Sequence, residues 1–494
     1  MRDDVRPTRT YLPLLVLVLL VSASAIRDAI ILFHYQTAVG VNGYYYVLQV
    51  SQIANTGKPY YPTHFPVQLY CLTAAFVLLR NAVVTVKMWG IFLQSVLGIA
   101  VFGVLKRATG SGLFGLLGLA ITVIPRSRFY SSIEYINQLG AMALLVASGW
   151  AILTVSMNRR LRAGMIVAAP LISALASHKS ILVFALILSA CVAILLGWRQ
   201  GPIPRLLAGC GAILLWFGPA LASTMHPIGL PESIAAQVSW QPHFPLDSQL
   251  WPEELMVGIA ALGILTFIVL NRTQLTRFHI VFGSLALWSV VVTLNPFFNS
   301  ATMLSSVAGR SRIFSYVQIA LLLPGLIWLV ASKSGEAAVY VLAAFFPLIL
   351  ISALAPFPYG LQASYLAKRA NLIHALPLHL TEIPQHSIVV APHGDQFVIT
   401  ATVGLASQQT LPNHPDSTEI YWLLSHVEDR ALSARSIVLT NDNSATVLIN
   451  SRVLGALLPA MDPVERFSLY RANPHLATAV NGGDLWRERG ISNP

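Results

Sequence analysis

Charged residues are scarce in this sequence. Only 10% of its 494 residues are Asp, Glu, Lys or Arg, whereas 55% are hydrophobic. Because soluble domains carry about 25% charged residues, this composition excludes an ordinary soluble enzyme. Repeated apolar stretches of membrane-spanning length indicate instead a polytopic membrane protein. The lipid bilayer is therefore one of its expected partners.

Several chemical signatures are also missing. The three cysteines lie in apolar runs, without the spacing of a disulfide framework or a metal site. The chain has no P-loop, no dinucleotide-binding glycine fingerprint, no His/Cys metal set and no nucleophile elbow. The segments expected outside the membrane lack a clear carboxylate pair. We therefore expect neither a cofactor nor a metal.

Acidic residues are scarcer than basic ones, and the formal net charge is +11. In a membrane protein such an excess is typical of cytoplasmic loops, so nucleic acid is not needed to explain it and is not expected as a partner. Clusters of Lys and Arg separate the apolar segments. Their positions predict the topology.

The basic clusters fit about eleven spans, with the N-terminus in the cytoplasm and the C-terminus outside the cytoplasmic (inner) membrane. This topology requires the short apolar run 66–80 to stay outside as a juxtamembrane or re-entrant helix, since a span needs roughly 20 residues. Residues 1–25 also resemble a signal peptide, but the topology needs them as an uncleaved first helix. The expected spans lie near 11–26, 83–105, 112–125, 137–155, 163–177, 180–198, 206–224, 254–270, 278–294, 312–331 and 336–355.

The composition changes near residue 361, where β-rich runs alternate with polar turns and helical patterns. The fold class expected is therefore mainly α: a membrane helix bundle at 1–360, with an outer loop at 27–80, followed by an extracytoplasmic α/β domain at 361–494. Within that domain, "DSTEIYWLLSHVEDR" (416–430) favours an amphipathic helix.

Several basic residues lie on the predicted outer side, where the positive-inside rule should deplete them. Such cations suit a phosphate group at the membrane surface. Pairing with lipid headgroups is the alternative for each. They include Arg126, Arg128, Lys179, Arg310 and Arg312.

The first outer segment reads "GVNGYYYVLQVSQIANTGKPY" at 40–60, and "HFPVQLY" follows at 64–70. Together with the basic N-terminus, one preceding helix, many later helices and a terminal outer domain, this order resembles the GT-C class of integral-membrane glycosyltransferases. It is most similar to the branch of protein O-mannosyltransferases and lipid A aminoarabinose transferases. The resemblance is spread over residues 10–355, and its specific part is the first loop.

The resemblance implies that a sugar passes from a polyprenyl-phosphate donor to a lipid, glycan or protein acceptor on the extracytoplasmic side. It also implies an arginine for the donor phosphate, and Arg310 and Arg312 precede an apolar segment at such a position. Lys179 and Arg128 are further candidates for the phosphate. A guanidinium suits this role because its N–H fork matches phosphate oxygens.

Aromatic and histidine side chains are candidates for lining the substrate. Tyr44 and Tyr45 would stack on a sugar, with a plain aromatic belt at the membrane surface as the alternative. His64 at the end of the first loop and His178 beside Lys179 would contact donor or acceptor, or be surface residues.

The sequence departs from the GT-C pattern at Asn42, where the family commonly carries an aspartate as general base. An amide cannot take up a proton at neutral pH. Either another carboxylate is the base, or the acceptor needs little activation, or transferase activity is lost. Asp28 and Glu134 are the nearest carboxylates by topology, and a local ion pair with Arg27 is the alternative for Asp28.

The sequence thus predicts a membrane glycosyltransferase, with catalytic candidates Glu134, Asp28 and Asn42. The first alternative is a non-catalytic GT-C relative that binds a polyprenyl-linked glycan, which Asn42 supports. A transporter of lipid-linked glycans is less favoured, because the sequence shows neither paired half-repeats nor ionisable residues at mid-membrane.

Overall fold

The structure is a computed structural model. It describes residues 8–61, 67–154, 168, 179–198, 202–224, 250–271, 277–295, 313–378, 388–390, 395–404, 406–408, 420–425, 438–439 and 446–450.

Helices dominate the described residues. In chain order they are α1 (Thr8–Phe33), α2 (Gly43–Thr56), α3 (Val67–Leu79), α4 (Ala82–Thr109), α5 (Gly112–Val123), α6 (Arg128–Ile133), α7 (Ile136–Thr154), α8 (Lys179–Trp198), α9 (Pro202–Thr224), α10 (Trp251–Leu270), α11 (Arg277–Ser289), α12 (Ser315–Ala331), α13 (Gly335–Leu354), α14 (Ala363–Leu378) and α15 (Asp395–Val403). A π-helical turn, Val290–Leu294, continues α11, and a 3-10 turn, Tyr359–Leu361, precedes α14.

Five of the described helices are long and apolar enough to cross a membrane: residues Leu12–Phe33 of α1, then α4, α7, α10 and α13. Shorter apolar helices lie at most of the other expected spans, while the expected span 163–177 falls almost wholly outside the described residues. The side chains of α1 are largely exposed, including Leu12, Leu15 and Leu19. Such an apolar surface suits contact with lipid.

Helix α3 bears on the predicted topology. It has 13 residues. At about 1.5 Å per residue its length is roughly 20 Å, short of the roughly 30 Å hydrocarbon core. A juxtamembrane or re-entrant placement on the outer face stays a prediction, as do the count of eleven spans and the sides of the termini.

Local sequence accounts for several helix ends. Helix α2 ends at Gly57, whose φ of 75° is left-handed and whose N–H donates to the carbonyl of Ile53. The hydroxyls of Ser111 and Ser334 accept backbone N–H groups at the starts of α5 and α13. Helix α10 starts with Pro252 and two acidic residues, which favour a helix N-terminus.

Helix α12 forms the centre of the bundle. Every residue from Ser315 to Ile327 is buried. The helix packs against α5, α10, α11 and α13. A helix that is apolar all round belongs in the interior of a bundle, since it has no polar face to present to water.

The first helix runs further than expected. The predicted span ends near residue 26, but α1 continues to Phe33, so Arg27 and Asp28 lie inside the helix. The carboxylate of Asp28 is tolerated at this buried position because Arg27 and Arg128 contact it, whereas an unpaired buried carboxylate would be costly.

Residues 388–450 contribute a five-stranded mixed sheet. Its strands are β1 (Ile388–Val390), β2 (Ala406–Gln408), β3 (Ile420–Ser425), β4 (Val438–Leu439) and β5 (Thr446–Asn450). The order is β2-β1-β3-β5-β4, with β1 parallel to β2 and β3, and β5 antiparallel to β3 and β4. The strands fall inside the predicted α/β domain, whose boundary at residue 361 stays a prediction.

The predicted amphipathic helix at 416–430 is wrong over its centre, where β3 forms instead. Tyr421 pairs with Asn450 of β5 and with Val389 of β1, which places β3 between two neighbouring strands. The segment is rich in aromatic and branched residues that suit a sheet, and pairing on both sides overrides the local helical pattern.

The chain divides into two compact units. The first comprises Met1–His34, Pro62–Ala75 and Lys87–Pro358, and contains most of the membrane helices. The second comprises Tyr35–Tyr61, Phe76–Val86 and Tyr359–Pro494, and so combines first-loop residues with the C-terminal region.

We expect Gly118→Ala to lower the unfolding temperature of the protein in detergent. A Cβ at position 118 of α5 would lie 2.1 Å from Leu105 and 2.8 Å from the backbone oxygen of Ala320. The backbone oxygen cannot move without shifting α12. Gly209→Ala is the matched control, since a Cβ there meets nothing within 4 Å. Equal thermal stability of the two variants would contradict this packing.

Candidate active site

A buried ion pair joins the first helix to the second predicted outer segment, residues 126–138. The guanidinium of Arg128, at the start of α6, donates through Nη2 to the carboxylate of Asp28 and through Nη1 to Ser24 Oγ at 2.9 Å. Arg27 Nη2 lies 3.3 Å from the same carboxylate and donates to the carbonyl of Val123 at 2.7 Å. The structure thus brings together two predicted site residues, Asp28 and Arg128.

The environment of this pair restricts its chemistry. Asp28 is 3% exposed and Arg128 is 1% exposed. Burial lowers the pKa of Arg128 to about 10, and the neighbouring Asp28 carboxylate opposes that shift. Arg128 is therefore a cation at neutral pH, and its main anionic contact in the described part of the chain is Asp28. Binding a donor phosphate would require this pair to open, so that role stays a prediction for Arg128.

A hydrogen-bond network extends from Arg128 to α12. Gln94 Nε2 of α4 lies 3.0 Å from the carbonyl oxygen of Arg128, 2.8 Å from Ser131 Oγ and 3.0 Å from Tyr316 Oη. Ser131 Oγ and Tyr316 Oη lie 2.8 Å apart. Tyr316 belongs to the first turn of α12, four residues after Arg312. The helix that follows the predicted phosphate-binding arginines is thus bonded to the second outer segment.

Glu134 ends the short helix α6. Its N–H donates to the carbonyl of Tyr130 at 2.9 Å, and the residue is 6% exposed. The carbonyl of Ser132 lies so close to Gly90 of α4 that a Cβ at Gly90 would be 2.5 Å from it. The tight contact places the end of α6, and hence Glu134, against the N-terminal part of α4. Its role as a base stays a prediction.

A further buried carboxylate, Glu253, was not among the residues predicted from the sequence. Glu253, in the first turn of α10, is 0% exposed. Its Oε1 accepts hydrogen bonds from Ser127 Oγ at 2.5 Å and from Ser352 Oγ at 2.6 Å. Oε2 has no hydrogen-bond partner in the described part of the chain. The signal that could have found it is the pair Glu253–Glu254 at the start of an apolar segment, in a chain with 20 acidic residues.

The Glu253 cluster connects three elements at the second outer segment. Ser127 precedes α6, and Ser352 lies in the last turn of α13. Beside them, Arg126 donates through Nη1 to the carbonyl of Ala355 at 3.1 Å and lies 4.6 Å from the ring centre of Phe357. The guanidinium of Arg126 thus contacts a carbonyl oxygen and an aromatic ring, whereas that of Arg128 contacts a carboxylate.

Asn42 and the first-loop tyrosines lie in the second unit. Asn42 occupies the N-cap of α2, but its side chain makes no capping hydrogen bond to that helix. The two residues before it bind Arg369 of α14 through the carbonyl oxygens of Gly40 and Val41. Arg369 is 2% exposed and was not singled out from the sequence, because nothing in its local pattern marks it.

Tyr44 and Tyr45 lie in the core of the second unit. Tyr44 is 9% exposed and packs in a cluster with Leu48, Phe397 and Val398. The ring of Tyr45 stacks on that of Tyr61, with 5.9 Å between the ring centres, and meets the Phe397 ring edge-on. Burial raises the pKa of both tyrosines. These rings are packed by protein, and a contact with sugar stays a prediction.

The remaining predicted residues are not placed by the structure. Arg310, Arg312, His64 and His178 lie outside the described residues, and Lys179 begins α8 with a side chain that is not described. Within the described ranges, no group of three or more His, Cys, Asp or Glu residues is arranged to hold a metal ion.

We expect Asp28→Ala to destabilise the protein. The substitution leaves the Arg128 cation buried without its carboxylate, which typically costs about 3–5 kcal/mol. Thermal unfolding of the purified protein in detergent measures the effect. Glu336→Ala, at an exposed carboxylate on α13, is the matched control. The double variant Asp28→Ala/Arg128→Met should recover part of the loss; a single Asp28→Ala variant as stable as wild type would contradict the ion pair.

The chain was also compared with known proteins. No protein-family description matches it. No curated protein matches it either. Several solved structures are similar to it, among them the following two. Oligosaccharyltransferase of Archaeoglobus fulgidus, solved with Zn and sulfate, is 12% identical, with a TM-score of 0.44; the match covers 78% of this chain and 62% of that enzyme. ArnT of Cupriavidus metallidurans, solved with undecaprenyl phosphate, is 13% identical, with a TM-score of 0.48; the match covers 89% of this chain and 98% of ArnT. Both are GT-C glycosyltransferases.

Proposed function

We propose that this protein is a membrane glycosyltransferase that moves a sugar from a polyprenyl-phosphate donor to a lipid, glycan or protein acceptor. The transfer takes place on the extracytoplasmic side of the cytoplasmic membrane. The acceptor oxygen forms a bond to the anomeric carbon, the bond from that carbon to the phosphate oxygen breaks, and the acceptor proton passes to a base. The polyprenyl phosphate leaves as an anion.

One observation carries this proposal in the first unit: the second outer segment and the start of α12 are held together. Tyr316 bonds to Ser131 and Gln94. Helix α6 starts at Arg128, and Glu134 is its C-cap residue. The segment that carries Glu134 and Arg128 therefore shares one hydrogen-bonded network with the helix that Arg310 and Arg312 precede in the sequence. Transfer from a phosphate donor needs both a carboxylate and cations, because charge develops on the phosphate while the acceptor loses a proton.

Glu134 is the base that we propose. Asp28 is the other candidate, but it neutralises the buried Arg128. Taking up the acceptor's proton would leave this cation uncompensated, at a high cost in free energy. Glu253 is fully buried and held by two serine hydroxyls, which suits the anchoring of Ser127.

We expect Glu134→Gln to lower kcat by about 10²–10⁴-fold, the usual contribution of a general base, with little change in the KM for the donor. The assay uses purified protein, a panel of polyprenyl-phosphate sugars and mass spectrometry of the products. Glu336→Gln, at an exposed glutamate in the first turn of α13, is the control. Turnover of Glu134→Gln at the wild-type rate excludes Glu134 as the base.

We expect Arg310→Ala to weaken donor binding by about tenfold or more, since a charge-assisted hydrogen bond to the phosphate is lost. Binding of polyprenyl phosphate by the purified variant measures this directly. Arg107→Ala is the control, because Arg107 lies at the far end of α4. Donor binding and transfer at wild-type levels would remove Arg310 from the site. Donor binding without transfer by the wild-type protein would instead favour the non-catalytic alternative.

A further inference from the structure

Arg369 of α14 donates hydrogen bonds to the backbone of the first loop. Its Nη1 donates to the carbonyl oxygen of Gly40, and its Nη2 donates to the carbonyl oxygen of Val41 at 3.2 Å and to Tyr365 Oη. The guanidinium carbon lies 5.7 Å from the ring centre of Tyr44 and 4.7 Å from that of Tyr365. One side chain thus contacts two residues before Asn42, Gly40 and Val41, and one residue after it, Tyr44.

The described groups around the positive charge of Arg369 are neutral. The residue is 2% exposed, and no salt bridge to it is found in the described part of the chain. Among the described residues, its guanidinium contacts two carbonyl oxygens, a phenol oxygen and two aromatic rings. Burying a cation is costly unless its hydrogen bonds are well made. A neutral apolar residue would avoid that cost, so the contacts with the loop are what the arginine contributes.

Other bonds at the same segment depend on the conformation that Arg369 holds. Gly40 has a φ of +85°, which glycine adopts readily and other residues rarely do. Its N–H donates to the carbonyl of Gly360 at 3.0 Å, and its carbonyl also accepts the N–H of Gly43 at 3.2 Å. Gly43 is the first residue of α2, so the start of this helix is tied to the segment 40–42.

We propose that Arg369 is a positioning residue for the first loop, which sets the place of Asn42 and of the start of α2 for the bound substrate. This rests on the proposed function and on the expectation from the sequence that the first loop contacts the donor or acceptor. Lysine cannot replace Arg369, because a single ammonium cannot bind two successive carbonyl oxygens with a planar fork.

The test compares Arg369→Ala and Arg369→Lys with Arg107→Ala. Arg107 donates from Nε to the carbonyl of Leu153 at 2.9 Å but is exposed, so it controls for the loss of an arginine–carbonyl bond. Hydrogen exchange of the amides of residues 38–46 is measured in the purified full-length protein. We expect exchange about tenfold faster or more in both Arg369 variants, and wild-type exchange in Arg107→Ala.

Activity then distinguishes positioning from general stability. We expect Arg369→Ala to lower the kcat of the otherwise wild-type protein. In a protein that already carries Asn42→Ala, we expect Arg369→Ala to lower kcat little further, since both substitutions act through the same loop. Added guanidinium should restore part of the activity of Arg369→Ala and none of Asn42→Ala. If Arg369→Ala does not fold, Arg369→Lys and Tyr365→Phe carry the same comparison.

The outcomes separate the two proposals. Unchanged exchange at residues 38–46 in the Arg369 variants overturns the positioning role, whether or not the protein transfers sugar. Faster exchange with undiminished transfer, or additive losses with Asn42→Ala, also overturns it. Faster exchange in a protein whose wild-type form transfers no sugar supports the grip on the loop and refutes the proposed function alone.

Discussion

The ion pair between Asp28 and Arg128 holds together the end of the helix bundle where the predicted outer segments begin. In a chain with so few charges, a buried guanidinium needs a carboxylate, and the nearest one comes from the first helix. With Arg128 held there, its carbonyl meets Gln94, and Gln94 meets Ser131 and Tyr316. Helices α1, α4, α6 and α12 are thus connected through one arginine, and the candidate site depends on their connection.

The same requirement, that a buried charge must find partners, is met differently at two other places. Glu253 in the first unit makes no salt bridge in the described structure and accepts hydrogen bonds from the hydroxyls of Ser127 and Ser352. Arg369 in the second unit has backbone carbonyls and aromatic rings. In each case the charged side chain joins segments far apart in sequence. Charges that are scarce and buried therefore serve to position segments of this chain, in addition to any part they take in chemistry.

The helices of the bundle could be predicted from the sequence because they are apolar runs, and such runs can be recognised without any tertiary information. Sequence reasoning failed at residues 420–425, where an amphipathic pattern was read as a helix although the segment pairs with strands on both sides. It also ended the first helix too early, since Arg27 and Asp28 mark a membrane boundary when their partners are not known. Both errors concern segments whose conformation depends on distant neighbours.

The sequence by itself determined that the chain is a membrane helix bundle and that polar groups collect at the ends of its helices, because hydropathy and charge are properties of local residues. It also named Asp28 and Arg128 as candidates, although as members of different groups. Only the tertiary structure decided that these two neutralise each other, that Glu253 anchors Ser127, and that Arg369 contacts the carbonyls before Asn42. Pairing of buried charges depends on distances between segments that lie tens or hundreds of residues apart, and a local pattern carries no record of them.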